Sequence, residues 1–138
     1  MQIATRFPIA VHTLLCIDHF SETTRTTSEF IAGSVNVNPV VIRTILQKLK
    51  AAGLVEVSRG AGGAKLKRDA KDITLLDIFN AVGAIDGSLF DMHASPNPNC
   101  PVGQIVNDSL ADRLDEAQKA LEANLATTTL ADIQVPEP

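Results

Sequence analysis

The sequence has no tryptophan, no tyrosine and only five phenylalanines among its 138 residues. Its core must therefore rely on Leu, Ile, Val and Ala, and it has too few aromatics for a surface that stacks single-stranded nucleic acid. Cysteine is almost as scarce, because Cys16 and Cys100 are the only two, which excludes a disulfide framework. The apolar run over residues 9–17 is too short to cross a bilayer, and no cleavage-site pattern follows it. We therefore expect a cytoplasmic protein without a membrane anchor.

The acidic and basic residues are segregated along the chain. The formal net charge is −4, within a composition of 45% apolar and 20% charged residues that is typical of a globular domain. Residues 36–71 hold eight Lys and Arg against two acidic residues, a charge of +6, whereas the remainder holds four basic and fourteen acidic residues, a charge of −10. A locally basic region favours an anionic partner even in an acidic protein.

The stretch from residue 38 to residue 53 carries the clearest helix pattern. Asn38 can cap a helix that begins with Pro39, whose missing amide costs nothing at the first helical position. Four apolar side chains recur with the spacing of one helix face: Ile42, Ile45, Leu46 and Leu49. Gly53 suits a left-handed C-terminal cap. The polar side chains of this helix are then free to meet a partner.

A short hairpin is predicted directly after this helix. Residues 54–57 alternate as a strand, residues 59–63 form an Arg-Gly-Ala-Gly-Gly tip, and residues 64–67 can return as a second strand. Before the helix, Thr27 or Ser28 caps a short helix over residues 29–32, and Gly33 allows a sharp turn toward Asn36. A polar-faced helix followed by a basic, glycine-tipped hairpin is typical of a winged helix-turn-helix, and it predicts DNA binding.

The rest of the chain predicts further helices. A largely buried helix covers residues 8–20, with Thr5 as a candidate cap. Thr74 and Asp77 form a capping-box variant that starts a helix over residues 75–82. Residues 83–99 are rich in loop-forming residues, a long helix begins near Pro101, and Thr129 starts one last short turn.

The long helix carries an apolar stripe along most of its length. A helix this long is poorly stabilised by propensity alone and needs another surface, for which a symmetry mate is the obvious source. The predicted dimer interface consists of Val102, Ile105, Val106, Leu110, Leu114, Leu121 and Leu125.

Five motifs in order resemble the Rrf-two family of bacterial winged-helix regulators. They are Asn38-Pro-x-x-Ile-Arg, Leu49-x-x-x-Gly-Leu-Val, Arg59-Gly-x-Gly-Gly, Ile73-Thr-Leu-x-Asp and Thr129-Leu-x-Asp-Ile, and together they cover nearly the whole chain. The resemblance implies a homodimer, joined through the long helix, that binds double-stranded DNA at an inverted repeat, most often as a repressor. It also implies that residues near Val40, Arg43 and Thr44 face the major groove and that Arg59 reaches the minor groove.

The expected fold is mainly α with a small two-stranded β-wing and a long C-terminal dimerisation helix. Residues 1–72 form the winged helix-turn-helix, and residues 73–138 add the post-wing helix, the loop and the long helix to the same compact unit. The candidate DNA-binding residues are Thr27, Ser28, Asn38, Val40, Arg43, Thr44, Gln47, Lys48, Arg59, Gly60, Gly62, Gly63 and Lys65.

The chain departs from the family at the loop before the long helix. Members of the family that bind an iron–sulfur cluster carry three closely spaced cysteines there, whereas residues 90–103 contain only Cys100. A four-ligand cluster site lacks its ligands. We therefore expect no cofactor, and the small-molecule effector, if there is one, is not indicated by the sequence.

Several other patterns suggest chemistry less strongly. His12, Cys16 and His19 share one face of the first helix and are residue types that ligate zinc or copper, although packing between helices explains them better. Cys100 precedes a helix and is a candidate redox thiol, with a capping or buried thiol as the simpler interpretation. These residues leave open an alternative function, a metal- or thiol-redox-binding module on the same scaffold without operator binding.

Enzyme activity is not indicated by the remaining motifs. The Gly-rich tip lacks the Gly-Lys-Ser/Thr of a phosphate-binding loop, because Lys65 is followed by Leu66. Asp115 and Glu116 are interpreted as a solvated helix face, since nothing places a complementary acid or base beside them. We therefore expect that the protein is not an enzyme.

Overall fold

The structure, a computed structural model, describes residues 4–58, 63–85 and 87–133. The helices are α1 (Arg6–Phe20), α2 (Ser28–Val35), α3 (Pro39–Ala51), α4 (Leu75–Ala81) and α5 (Pro101–Leu125). The strands are β1 (Val55–Ser58) and β2 (Gly63–Leu66), and two short 3-10 helices cover Ala70–Asp72 and Leu130–Asp132. This is the mainly α fold with a two-stranded wing and a long C-terminal helix that the sequence predicts.

Helix α1 lies against the centre of the core. Ala10, Leu14, Cys16 and Ile17 are buried, and Thr13 is buried with its hydroxyl donating to the Ile9 carbonyl at 2.8 Å. The prediction that Thr5 caps this helix with its side chain is wrong. Thr5 has helical dihedral angles and makes no side-chain capping hydrogen bond, and the helix begins at Arg6, two residues earlier than predicted.

Helices α2 and α3 form a helix-turn-helix whose turn is made by Asn36. Thr27 caps α2, as its hydroxyl accepts a hydrogen bond from the Phe30 amide at 3.2 Å. The helix runs on to Val35, so Gly33 lies inside it and does not make the predicted turn. Asn36 makes the turn instead, with a φ of 65°, a left-handed conformation that asparagine tolerates better than most residues.

Both ends of α3 are closed by hydrogen bonds, as predicted. The Asn38 side chain accepts from the Val40 amide at 2.9 Å, and Pro39 occupies the first turn. At the other end Gly53 has a φ of 77°, its amide donates to the Lys50 carbonyl, and the Leu54 amide donates to the Leu49 carbonyl, both at 3.0 Å. This pair of bonds is a Schellman motif, which satisfies carbonyls that the helix end leaves free. The predicted apolar stripe is buried: Ile42, Ile45, Leu46 and Leu49.

The wing is attached to the connector between α1 and α2. The strands β1 and β2 are antiparallel, with Val55 opposite Leu66 and Ser58 opposite Gly63. Thr26 is buried and pairs with Ala64 in both directions: the Ala64 amide donates to the Thr26 carbonyl at 3.0 Å, and the Thr26 hydroxyl donates to the Ala64 carbonyl. Two hydrogen bonds to the backbone of Ala64 therefore hold the hairpin against the segment that leads into α2, and the side-chain pattern of the hairpin does not reveal them.

The C-terminal segments return to the same core. The predicted capping box of α4 is present, since Thr74 and Asp77 exchange hydrogen bonds of 2.9 and 3.0 Å. Phe79 in this helix packs edge-on against Phe7 of α1, with ring centroids 5.4 Å apart. Leu130 is buried in the core as well. None of the helices formed by the described residues is long and apolar enough to cross a membrane.

A pair of glycine substitutions tests the attachment of the wing. A β-carbon on Gly63, whose φ is 69°, would lie 2.8 Å from the Thr26 backbone nitrogen, whereas one on Gly33 would meet nothing within 4 Å. We expect Gly63→Ala to lower the free energy of unfolding by about 1–3 kcal/mol. Gly33→Ala is the control and should raise it by about 0.5–1 kcal/mol, because alanine is the better residue inside a helix.

Thermal and denaturant unfolding measure both variants against the parent protein. Equal stability of the Gly63→Ala variant and the parent would contradict the close contact between wing and connector.

Candidate nucleic-acid interface

The solvent-facing side of α3 is the main candidate surface. Burial of the apolar stripe leaves the opposite side of the helix exposed, and this side carries predicted DNA-binding residues together with Lys50: Val40, Arg43, Thr44, Gln47, Lys48 and Lys50. Val40, in the first turn of the helix, is 59% exposed and adds an apolar group to this otherwise polar face. Apolar and polar groups on one exposed helix face suit the edges of bases in a major groove, whose width admits one α-helix.

The N-terminal ends of α2 and α3 supply the other helical candidates. Asn38 is exposed, and its side chain is already used to cap α3. Thr27 and Ser28 are half-buried at the start of α2, where Thr27 is used as the cap. Amides at helix N-termini favour anionic groups such as phosphates. Asn38 and Thr27 have a structural role as helix caps that is independent of any DNA contact.

Arg43 forms an ion pair that the sequence did not suggest. Its Nη2 lies 2.6 Å from Oε1 of Glu29, which is in the first turn of α2, and both side chains are more than half exposed. The pKa of Glu29 is held below its usual range, first by a hydrogen bond from its own backbone amide and then by Arg43. The signal in the sequence is weak, because the two residues lie fourteen positions apart on different helices.

The wing contributes one exposed basic candidate within the described residues. Lys65 is exposed on β2, opposite Glu56 on β1. Gly63 is buried against Thr26, so its conformation follows from packing whether or not its backbone approaches DNA. The candidates Arg59, Gly60 and Gly62 lie outside the residues that the structure describes, and their assignment remains a prediction from the sequence.

The predicted dimer stripe on α5 divides into two parts. Leu121 and Leu125 are half-buried and pack against the chain's own core, so they are engaged within the protomer. Val102, Ile105 and Leu110 are 67%, 57% and 42% exposed. Two further residues of the predicted interface, Val106 and Leu114, are half-buried. The uncovered apolar surface therefore lies on the N-terminal half of the helix.

The loop before α5 is held to that helix by hydrogen bonds. The Asn97 carbonyl packs so closely on Gly103 that a β-carbon there would lie 2.2 Å away. The side-chain amides of Gln104 and Asn107 donate to the carbonyls of Pro98 at 2.8 Å and His93 at 3.3 Å. Cys100, at the start of α5, is partly exposed, and the amides of Gly103 and Val102 lower the pKa of its thiol.

The candidate metal ligands on α1 do not form a site. The Nε2 atom of His12 and the Ser34 hydroxyl are joined by a 2.9 Å hydrogen bond, Cys16 is buried, and His19 is exposed with its ring against Phe20. Within residues 4–58, 63–85 and 87–133, no group of three His, Cys, Asp or Glu side chains could hold a metal ion. His12 and His19 have different neighbours, Ser34 and Phe20, although the two histidines share one helix face.

The geometry defines a winged helix-turn-helix of the DNA-binding class. Its features are the capped helix α3 with a buried stripe, the helix-turn-helix made with α2, and the hairpin that follows directly. A model of the Rrf2 family, described as "Iron-dependent Transcriptional regulator", matches residues 3–135. The chain belongs to the Rrf2 family of transcriptional regulators.

Individual relatives agree with this assignment. The chain is 40% identical over 131 residues to "Putative HTH-type transcriptional regulator YwnA" of Bacillus subtilis (strain 168), covering 95% of this chain and 96% of the relative. A crystal structure of "a putative DNA binding protein" is 37% identical with a TM-score of 0.73, covering 93% and 97%. T. potens IscR, at 22% identity, has the same fold, with a TM-score of 0.69 and coverage of 100% and 94%.

The comparisons confirm three predictions from the sequence: the family, the winged-helix fold, and a transcriptional regulator rather than an enzyme. The family description mentions iron, but the described residues do not supply a matching set of iron ligands. Cys100 is the one cysteine near the loop, and the described residues contain no cluster of metal-binding side chains. This donor set does not fit a cysteine-ligated iron–sulfur cluster.

Proposed function

We propose that this regulator is a homodimer that binds an inverted-repeat operator and reads base edges with the exposed face of α3. We propose further that it acts as a repressor of transcription. The observation that supports the proposal is the arrangement of α3. Its apolar stripe is buried, both of its ends are closed, and its exposed Arg43, Gln47 and Lys48 form a basic helix face. Among the described residues, the one ion pair on this face joins Arg43 to Glu29. Such a regulator works in the cytoplasm, where the bacterial chromosome lies.

Each exposed side chain has a role in this proposal that follows from its chemistry. Arg43 can present two N–H donors to the O6 and N7 atoms of guanine, and Gln47 can pair with adenine. Val40 can contact the methyl group of thymine. Lys48 and Lys65, as flexible point charges, suit phosphates, which position the protein without reading sequence.

The proposed dimer is supported by the uncovered part of α5. Three large apolar side chains, Val102, Ile105 and Leu110, are exposed on the first three turns of this helix, whose C-terminal half packs on the core through Leu121 and Leu125. Covering them with the same surface of a second copy would remove apolar area from water. A dimer would also hold two α3 helices at the spacing of successive major grooves.

Salt dependence tests DNA binding itself. An operator is first selected from random duplexes, and the dissociation constant is then measured by fluorescence anisotropy at several salt concentrations. If the dimer neutralises about six phosphates, affinity should fall about a thousandfold between 50 and 200 mM salt, because each contact releases condensed counterions. Lys48→Ala should reduce the slope by about one per protomer.

The matched control for this measurement is Lys119→Ala. Lys119 is exposed on α5 and pairs with Asp115 at 2.9 Å, so its removal changes the net charge by the same amount away from α3. Its slope should equal that of the parent. An affinity that does not change with salt, or no selected sequence at all, would refute the proposal.

Charge placed on the apolar surface of α5 tests the dimer. Ile105→Glu should give monomers by analytical ultracentrifugation and should weaken operator binding severely, since two half-sites about one helical turn apart could no longer be held together. Ala111→Glu is the control, because residue 111 is exposed and nine residues, or half a rotation, beyond Val102. A fully active Ile105→Glu monomer would contradict this interface.

A further inference from the structure

The ion pair between Glu29 and Arg43 joins the two helices of the helix-turn-helix on their outer side. It is a single contact, from Nη2 of Arg43 to Oε1 of Glu29, at 2.6 Å. Both side chains are exposed, at 52% for Arg43 and 65% for Glu29. Exposed ion pairs add little to the free energy of folding, so stability does not explain this contact.

A carboxylate partner has a clear effect on an arginine side chain. A free arginine on a helix surface samples many rotamers, and ordering it on binding costs conformational entropy. A short, charge-assisted hydrogen bond to a residue on another helix restricts those rotamers before any ligand arrives. Glu29 is suited to this task because it lies in the first turn of α2, where a hydrogen bond from its own backbone amide, and then Arg43, lower the pKa of its carboxyl group.

The contact leaves the donors that base reading needs. Arginine has five N–H donors, and the contact to Oε1 uses Nη2. The Nη1 group and the second hydrogen of Nη2 remain available, and two such donors are what a guanine edge in the major groove accepts. The same carboxylate repels phosphates, so it disfavours an arrangement in which the Arg43 side chain is drawn to the DNA backbone.

We propose that Glu29 is a positioning residue for base recognition: it holds the guanidinium of Arg43 toward one base pair, and its charge lowers affinity for DNA that lacks that base. The inference rests on the proposed function. Glu29 therefore improves discrimination between sequences at the expense of overall affinity. If Glu29 instead held Arg43 away from DNA, removing Glu29 would leave discrimination unchanged or increase it.

The test compares three duplexes at one fixed salt concentration. These are the selected operator, the operator with the base pair read by Arg43 changed in both half-sites, and a random duplex. The proteins are the parent, Glu29→Ala, Glu29→Gln, Arg43→Ala and the double variant Glu29→Ala/Arg43→Ala. Glu22→Ala is the control, because it removes the same charge from another exposed position, in the connector after α1.

Glu29→Ala should reduce discrimination at that base pair about tenfold, the size expected for a hydrogen bond between charged groups, and should bind the random duplex as tightly as the parent or more tightly. Arg43→Ala should reduce discrimination at least as much, and adding Glu29→Ala to it should change discrimination no further. Glu29→Gln keeps a hydrogen-bond acceptor and should restore part of the loss. Glu22→Ala should leave discrimination unchanged.

Four outcomes would overturn the proposal, and they are distinguishable. Glu29→Ala with full or increased discrimination would show that the pair does not position Arg43 or that it holds Arg43 away from DNA. An equal loss of affinity for all three duplexes, with a lower unfolding temperature, would show a structural role. Unchanged discrimination in Arg43→Ala would show that Arg43 does not contact the base, while the proposal that the protein binds DNA would stand. A parent protein without salt-dependent binding would refute the proposed function as well.

Discussion

Burial of one stripe of α3 is the constraint on which the rest of this structure depends. Once Ile42, Ile45, Leu46 and Leu49 are inside the core, the rotation of the helix is set, and the side chains between them must face solvent. The Asn38 cap fixes where the helix begins, and the Schellman motif at Gly53 directs the chain into the wing. The residues of the proposed DNA interface are therefore determined by which side of α3 packs into the core.

Elements whose information is local were predictable from the sequence. The bounds of α3, its asparagine cap, the left-handed Gly53 and the capping box at Thr74 all depend on residues within five positions of one another, and all are present. The winged-helix fold followed from these signals in order, and the family comparisons confirm it. The candidate face of α3 was predictable for the same reason, because a helix with a buried stripe has only one opposite side.

Contacts between distant residues were not predictable in this way. Thr26 and Ala64 are 38 positions apart, and Glu29 and Arg43 are fourteen apart on different helices, so no periodicity links them. Residue type alone predicts a side-chain cap at Thr5 and a turn at Gly33. The backbone shows neither, since Thr5 already has helical dihedral angles before α1 begins at Arg6, and α2 continues through Gly33 to Val35. The face shared by His12, Cys16 and His19 failed as a metal site for a related reason, since spacing along one helix does not specify what packs against it.

Methylation interference on a selected operator tests the central claim, that α3 reads bases in the major groove. Dimethyl sulfate methylates guanine N7 in the major groove and adenine N3 in the minor groove, so one experiment separates the two. The account predicts that N7 methylation at symmetry-related guanines blocks binding of the parent protein, and that Arg43→Ala loses this interference at one guanine in each half-site. Interference at adenine N3 alone, with none at any guanine N7, would contradict it.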